Sequence, residues 1–270
     1  MSNCICNHSD YRVVYKLNYP QQARIIECLS CGLYRTLPAP VDGKLKVSDY
    51  VLAMESEAAI HMQRRIKAHK KLISVIKKKI RPESVNVLDI GCSMGHLARS
   101  FKDNGINCFG IDIDLAAIKY GYDRLGLQTL CIADSRALPF SKGVFDAVVL
   151  NHVLEHLLNP VVSLGEMHEV LKPGGLLIII LPNFRGLMAR LRPLSWQGWR
   201  PDGHFWHFSP DSLTKLLKNQ GFKIDILKAS RMYTPLISSI VKHLLYDLIS
   251  RLGAQAGQGD EIFLIASKIG

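Results

Sequence analysis

The sequence predicts an α/β fold: a mostly parallel sheet with helices on both faces, preceded by a small cysteine-bearing β segment. Three observations predict it. Residues 85–101 run from a short apolar strand, through a turn punctuated by Gly91 and Gly95, into a stretch with helical spacing. Beyond that unit, apolar strands alternate with helical stretches as far as Leu181. Cysteines fall in two early groups, Cys4 with Cys6 and Cys28 with Cys31, on either side of a two-strand pattern.

Composition bounds the rest. A chain of 270 residues has room for one large domain and a small appendage, and 48% apolar residues supply a substantial core. A formal charge of +11 and a pI near 9.4 admit anionic partners: nucleic acid, a membrane surface or a phosphorylated substrate. The longest apolar run, Leu176 to Leu181, is far too short to cross a bilayer. The first residues are polar and lack the apolar stretch of a signal peptide. With an odd count of seven cysteines, this favours a reducing, cytoplasmic location over a disulfide framework.

Residues 1–45 form the first segment. Tyr11 to Leu17 and Ala23 to Glu27 read as two short strands. Two cysteine pairs separated by a hairpin have the layout of a zinc ribbon, in which four ligands close a tetrahedron around Zn2+. Cys4, Cys6, Cys28 and Cys31 are the candidate ligands. The first pair is spaced Cys-x-Cys with His8 two residues on, so the fourth ligand is either Cys4 or His8. A segment this short buries little core, so a metal staple is physically useful.

Residues 46–83 hold a linker and a basic amphipathic helix. Met62, Ile66, His69, Ile73, Ile76 and Ile80 recur on one helical face, and Pro82 ends it. The other faces carry Arg64, Arg65, Lys67, Lys70, Lys71, Lys77, Lys78 and Lys79, with Arg81 beyond and no acid between. A solvated face of a packed helix accounts for this run; contact with lipid or with nucleic-acid phosphates are the sharper readings.

From residue 84 onward lies the main domain. A second strand, Asn107 to Asp114, ends in acids about twenty residues past the glycine turn. There a carboxylate can accept both hydroxyls of a ribose, which makes Asp112 the candidate, while Asp114 suits the cap of the next helix. A third strand, Thr129 to Ile132, ends at Ala133-Asp134, and a fourth, Phe145 to Leu150, runs into Asn151 and His152. A helix from Val161 to Leu171 stops at Lys172-Pro173-Gly174-Gly175, and the fifth strand, Leu176 to Leu181, follows. Ligands of such sheets bind beyond the carboxyl ends of the strands. Gly91, Asp112, Asp134 and Asn151 all fall there.

These residues together resemble the class I S-adenosylmethionine-dependent methyltransferases. The resemblance rests on Asp89-Ile-Gly-Cys-Ser-Met-Gly95, Gly110-Ile-Asp-Ile-Asp114, Ala133-Asp-Ser, Leu138-Pro-Phe140, Phe145-Asp-Ala-Val-Val149, Leu154-Glu-His-Leu157 and Leu171-Lys-Pro-Gly-Gly175, in that order. It implies a Rossmann-like seven-stranded sheet with an antiparallel last strand, and S-adenosylmethionine as cofactor. It places Asp89, Gly91, Cys92, Ser93 and Gly95 toward the methionine part of the cofactor, and Asp112 with Ile113 at the ribose. It further places Asp134 and Ser135 at the adenine edge and Asn151 and His152 on the cofactor floor. Ser93 stands where the family usually has a second glycine. A dinucleotide site fits less well, because the turn lacks the full G-x-G-x-x-G pattern.

The C-terminal third completes the domain. Asn183 to Phe208 is a loop rich in aromatics and histidines, and Pro201 to Ser209 resembles a segment of small-molecule members of the family. His204, then His207, are candidate bases for a hydroxyl acceptor, with His156 a further catalytic candidate. Packing of the loop is the bland role for these rings. Asp211 to Gln220 reads as a helix, with strands at Phe222 to Leu227 and Glu261 to Ser267. Between them lies an insertion at about residues 230–258. Ile237, Val241, Leu244, Leu245, Leu248, Ile249 and Leu252 share one face of a helix there; it could lid the pocket, make a dimer contact or rest on a membrane surface, with packing onto the core as the default. The expected activity is methyl transfer to a small-molecule acceptor such as a sugar or a lipid-linked intermediate. The alternatives are an RNA methyltransferase gripping phosphates with ribbon and basic helix, and a cofactor-binding scaffold without catalysis.

Overall fold

The computed structural model describes residues 4–18, 22–39, 58–80, 85–196, 198–230 and 240–270. In chain order the strands are β1 (Tyr11–Leu17), β2 (Ala23–Cys28) and β3 (Tyr34–Leu37). Then come α1 (Ala58–Lys79), β4 (Asn86–Ile90), α2 (His96–Lys102), β5 (Asn107–Asp112), α3 (Leu115–Leu125), β6 (Leu130–Ile132) and β7 (Phe145–Asn151). A 3-10 turn (Leu154–His156) leads to α4 (Pro160–Val170), β8 (Leu171–Pro182), α5 (Leu187–Leu191), β9 (Trp206–His207), α6 (Pro210–Asn219), β10 (Phe222–Ser230), α7 (Ile240–Gln255) and β11 (Glu261–Lys268).

The larger sheet has seven strands in the order β10-β11-β8-β7-β4-β5-β6, the number the family resemblance implies. β4 pairs in parallel with β5 and β7, and β5 with β6. Parallel strands covered on both faces read as continuous apolar runs, and Val87, Leu88, Val148, Val149 and Leu150 are all fully buried. The chain divides into two compact units.

One unit comprises residues 44–150, 162–178 and 267–270. Here α1 buries His69, Ile73 and Ile76, and a ring nitrogen of His69 meets Ser100 Oγ at 2.9 Å. Lys70, Lys77, Lys78 and Lys79 are exposed, as a solvated face requires. The side chains of Met62, Ile66, Arg64, Arg65 and Lys67, and all of Arg81, lie outside the described residues. β8 begins at Leu171, so the Lys172–Gly175 run belongs to the strand rather than to a stop before it.

The other unit comprises residues 1–43, 151–161 and 179–266. The cysteine-bearing segment does not form its own sheet. β1, β2 and β3 continue into β9, with Tyr34 opposite His207 and Arg35 opposite Trp206. β3 itself escaped the sequence reading because four residues carry too little alternation to stand out. The core of this unit gathers Leu17, Ile25, Tyr34, Phe184, Met188, Trp196 and Trp199, with Tyr34 stacked on Phe184 at 4.2 Å. α7 packs against it through Tyr246 and Ile249. Its leucines Leu244, Leu245, Leu248 and Leu252 are exposed, contrary to the expectation that this face packs onto the core. Ile237 lies outside the described residues, as does the side chain of Val241. Among the described residues no helix is long and apolar enough to cross a membrane.

Candidate active site

The first group of candidate residues lies at the ends of β4, β5 and β6. After β4 the chain turns through Gly91 at φ 68° and Ser93 at φ 49°, and Gly95 caps α2 at φ 79°. Serine thus adopts the left-handed backbone that the turn needs. A Cβ on Gly95 would lie 2.7 Å from Leu127 and Leu130 side-chain carbons, so only glycine fits without movement. Asp112, the last residue of β5, fastens the turn: Oδ2 accepts from Ser93 N at 2.8 Å and Oδ1 from Asp114 N at 3.0 Å. Cys92 N donates to Ile111 O at 2.9 Å, adding a second tie between turn and strand. Asp114 caps α3 by accepting from Ala117 N at 3.0 Å.

Electrostatics differ among the three acids. Burial, and then the neighbouring Asp112 charge, push the Asp89 carboxyl up to about 8. Burial also raises Asp112, while the Asp114 and Ser93 N–H groups pull it back. Asp134 is held below the ordinary carboxylate range by hydrogen bonds from Arg136, which meets it through both side chain and backbone. Ile113 is 70% exposed beyond β5, and exposed Ile132 pairs with Asp112 at the end of β6. The Ser135 hydroxyl turns inward to Ser163 Oγ at 2.9 Å, so only its main chain is left for a ligand. Ile132 carries no signal in the sequence beyond ending a strand.

A second cluster lies in the other unit. Glu155, 1% exposed, His156 and His204 present ligand-type atoms within 4.8 Å of one another. The two rings meet edge to face with centroids 4.5 Å apart. His156 Nδ1 donates to Gly203 O at 2.9 Å and His204 Nδ1 to Gly198 O at 2.8 Å. A carbonyl only accepts, so each neutral ring keeps a bare Nε2. Burial pushes the His204 imidazole down to about 3, against the pull of Glu155. His207 is set apart: its Nε2 lies 2.9 Å from Thr36 Oγ1, which itself donates to His204 O at 2.8 Å. The Thr36 oxygen therefore accepts from His207 Nε2–H, and burial holds that imidazole well below its ordinary value.

His152, expected on the cofactor floor beside exposed Asn151, sits at φ 57° with Nε2 3.2 Å from Glu261 and Nδ1 3.4 Å from Glu155. Burial alone would lower this imidazole, yet the two carboxylates raise it, and it holds Glu155 below its ordinary range. Sequence reasoning singled out His156 and passed over Glu155 as a site residue, although the Leu-Glu-His-Leu run names both.

The four cysteines also converge. Cys4 Sγ lies 3.5 Å from Cys31 Sγ and Cys6 Sγ 3.5 Å from Cys28 Sγ, all four within 4.8 Å. A tetrahedral zinc thiolate site separates its sulfurs by about 3.8 Å, so the set fits the metal with small adjustments. His8 is exposed and bonds Cys6 O through Nδ1, which makes Cys4 the fourth member. Tight turns shape the cradle: Asn7 N to Cys4 O at 2.8 Å and Gly32 N to Cys28 O at 2.9 Å. All seven cysteines are free thiols.

Comparison with known proteins identifies the family. A family described as a methyltransferase domain covers residues 58–226. A ubiquinone biosynthesis O-methyltransferase from Dinoroseobacter shibae is 29% identical over 164 residues, 57% of this chain and 66% of its own. A demethylmenaquinone methyltransferase from Renibacterium salmoninarum is 33% identical over 93 residues, 34% of this chain and 39% of its own. The chain thus spans between 39% and 66% of the length of these curated relatives. A solved S-adenosylmethionine-dependent methyltransferase from Methanosarcina mazei shares the fold at a TM-score of 0.54 and 21% identity, over 72% of this chain and 97% of its own. With a sheet of this strand order, a turn latched to the acid of the neighbouring strand and a family match across more than half its residues, the chain belongs to the class I S-adenosylmethionine-dependent methyltransferases.

Proposed function

We propose that the protein transfers a methyl group from S-adenosylmethionine to a small-molecule acceptor. The observation that carries this reading is the Asp112 latch, which locks the glycine turn and leaves further carboxylate lone pairs for ribose hydroxyls. S-adenosylmethionine supplies an electrophilic methyl on a positively charged sulfur. Asp89 and the turn from Gly91 through Gly95, with Cys92 and Ser93, bind its methionine part. Exposed Ile113 and Ile132 give the adenine an apolar surface. Asp134 and the main chain of Ser135 meet the adenine edge. Methyl transfer asks the protein mainly for alignment and exclusion of water.

The acceptor side we assign to Glu155, His156 and His204, whose bare nitrogens can take up a proton or a cation. His207 acts as a positioning residue through Thr36. The names of the relatives favour an acceptor of the quinone-biosynthetic kind over a sugar. Residues 1–45 we read as a zinc-stapled segment held by Cys4, Cys6, Cys28 and Cys31, and the seven free thiols support a cytoplasmic location. The exposed lysines of α1 favour a second reading, RNA methylation, in which Lys77, Lys78 and Lys79 contact phosphates.

Calorimetric titration with S-adenosylmethionine tests the first proposal, and absence of binding would end it. Incubation with cell extract and isotopically labelled donor, read by mass spectrometry, then finds the acceptor. Label appearing in RNA, with salt-sensitive binding lost on neutralising Lys77, Lys78 and Lys79, would replace the small-molecule reading.

A further inference from the structure

We propose that Glu155, His156 and His204 hold a divalent first-row transition ion, with Zn2+ the best match to one carboxylate and two imidazoles. Three features point there. One ligand-type atom of each side chain lies within 4.8 Å of the others, and both histidines spend Nδ1–H on backbone carbonyls, which leaves Nε2 free to ligate. Each carbonyl bond also fixes ring and tautomer, the outer-shell arrangement that metal-ligating histidines use. Finally, neither Glu155 oxygen accepts a hydrogen bond among the described residues, although the side chain is buried and its ion-pair partner His152 stands 3.4 Å away. Acceptors facing one another in a dry site repel unless a cation or proton lies between them.

The neighbourhood is consistent in charge. His152 lies between two carboxylates, with Nδ1 3.4 Å from Glu155 and Nε2 3.2 Å from Glu261, so this corner gathers acids as well as imidazoles. The ligand segments are stitched together before any ion arrives: Phe205 N donates to Glu155 O at 2.9 Å and Trp206 Nε1 to Leu157 O at 2.9 Å. Ligand atoms up to 4.8 Å from one another must approach to about 3.4 Å, the edge of a tetrahedron with metal bonds of about 2.1 Å. Three protein ligands leave positions open for water or an acceptor oxygen, as in sites that do chemistry rather than sites that only staple. The assignment stands whether or not an acceptor is methylated there.

Cobalt distinguishes this site from the cysteine cluster, because thiolate ligands give an intense near-ultraviolet charge-transfer band and nitrogen and oxygen ligands do not. The full-length Cys28→Ser/Cys31→Ser protein, stripped and titrated with Co2+, is expected to bind one ion per chain with visible ligand-field bands and no charge-transfer band. Adding Glu155→Gln, which keeps size and polarity, should weaken Co2+ at least tenfold; His204→Gln or His156→Gln should do likewise. Should the double-cysteine protein fail to fold, wild type answers: Zn2+ analysis after gel filtration should give two ions per chain, and Glu155→Gln one. A folded, S-adenosylmethionine-binding protein whose only Co2+ spectrum is the thiolate one would overturn the proposal. So would Glu155→Gln with unchanged affinity.

Discussion

Replacing Asp112 by alanine separates the two jobs of one carboxylate. In the folded protein it accepts from Ser93 N at 2.8 Å and from Asp114 N at 3.0 Å. Losing it strands two backbone donors, each costing about 1 kcal/mol at this half-buried rim, so the denaturation midpoint should fall by the equivalent of about 2 kcal/mol. Binding should suffer more. Two charge-assisted bonds to ribose hydroxyls are worth about 1.5–3 kcal/mol each, and every 1.4 kcal/mol is tenfold in Kd. Affinity for S-adenosylmethionine should therefore drop by about 100-fold to 10,000-fold in calorimetry. Asp114→Ala is the control. It removes only the α3 cap, at about 1 kcal/mol of stability, and should leave affinity within about threefold. A folded Asp112→Ala protein that binds within about fivefold of wild type would refute the placement of the ribose and of the whole donor rim.

Other predictions follow from the same geometry. Asp89 is raised to about 8 in the fold against about 3.9 unfolded. The folded state holds this proton longer, so the contribution is fully present below about pH 4 and is lost as pH rises through about 8. The loss is at most about 6 kcal/mol, and Asp89→Asn should flatten urea stability over that window; an unchanged pH profile would contradict it. Cys28→Ser should release one equivalent of zinc on mass analysis and disorder β1 to β3 by amide exchange, and retention of full metal would reject the ribbon site. Thr36→Val should cost about 1–3 kcal/mol by leaving buried polar partners on His204 and His207 unmet, with a His207 side-chain NMR shift as the specific readout.

The glycine turn and the strand ends around it are legible because their signals are local. A strand of β-favouring residues, glycines at left-handed positions and an acid at the next strand end follow from backbone sterics and from charge at fixed spacing. Asp114 as a cap reads the same way, since its own side chain reaches the third N–H of the helix it begins. Ser135 was harder, as nothing local tells that its hydroxyl faces Ser163 and the interior. Non-local pairing hid more. No period marks the pairing of Tyr34 with His207, 173 positions on, and the leucines of α7 show that an amphipathic stripe does not say which face finds a partner.

That pairing explains why a cysteine-bearing hairpin accompanies a methyltransferase fold. β3 lends Thr36, which donates to His204 O and accepts from His207, so a strand paired directly with cysteine-bearing β2 sets the backbone on which His204 sits. Thr36 N adds a bond to Phe205 O at 3.1 Å, and Phe205 N in turn grips Glu155 O at 2.9 Å. A continuous chain of hydrogen bonds thus runs from the ribbon to Glu155. A metal in the cysteines would stiffen the strand that aims the histidines, and its removal should loosen them. Such coupling needs the hairpin in the same chain and the same sheet, which is how the fold supplies it.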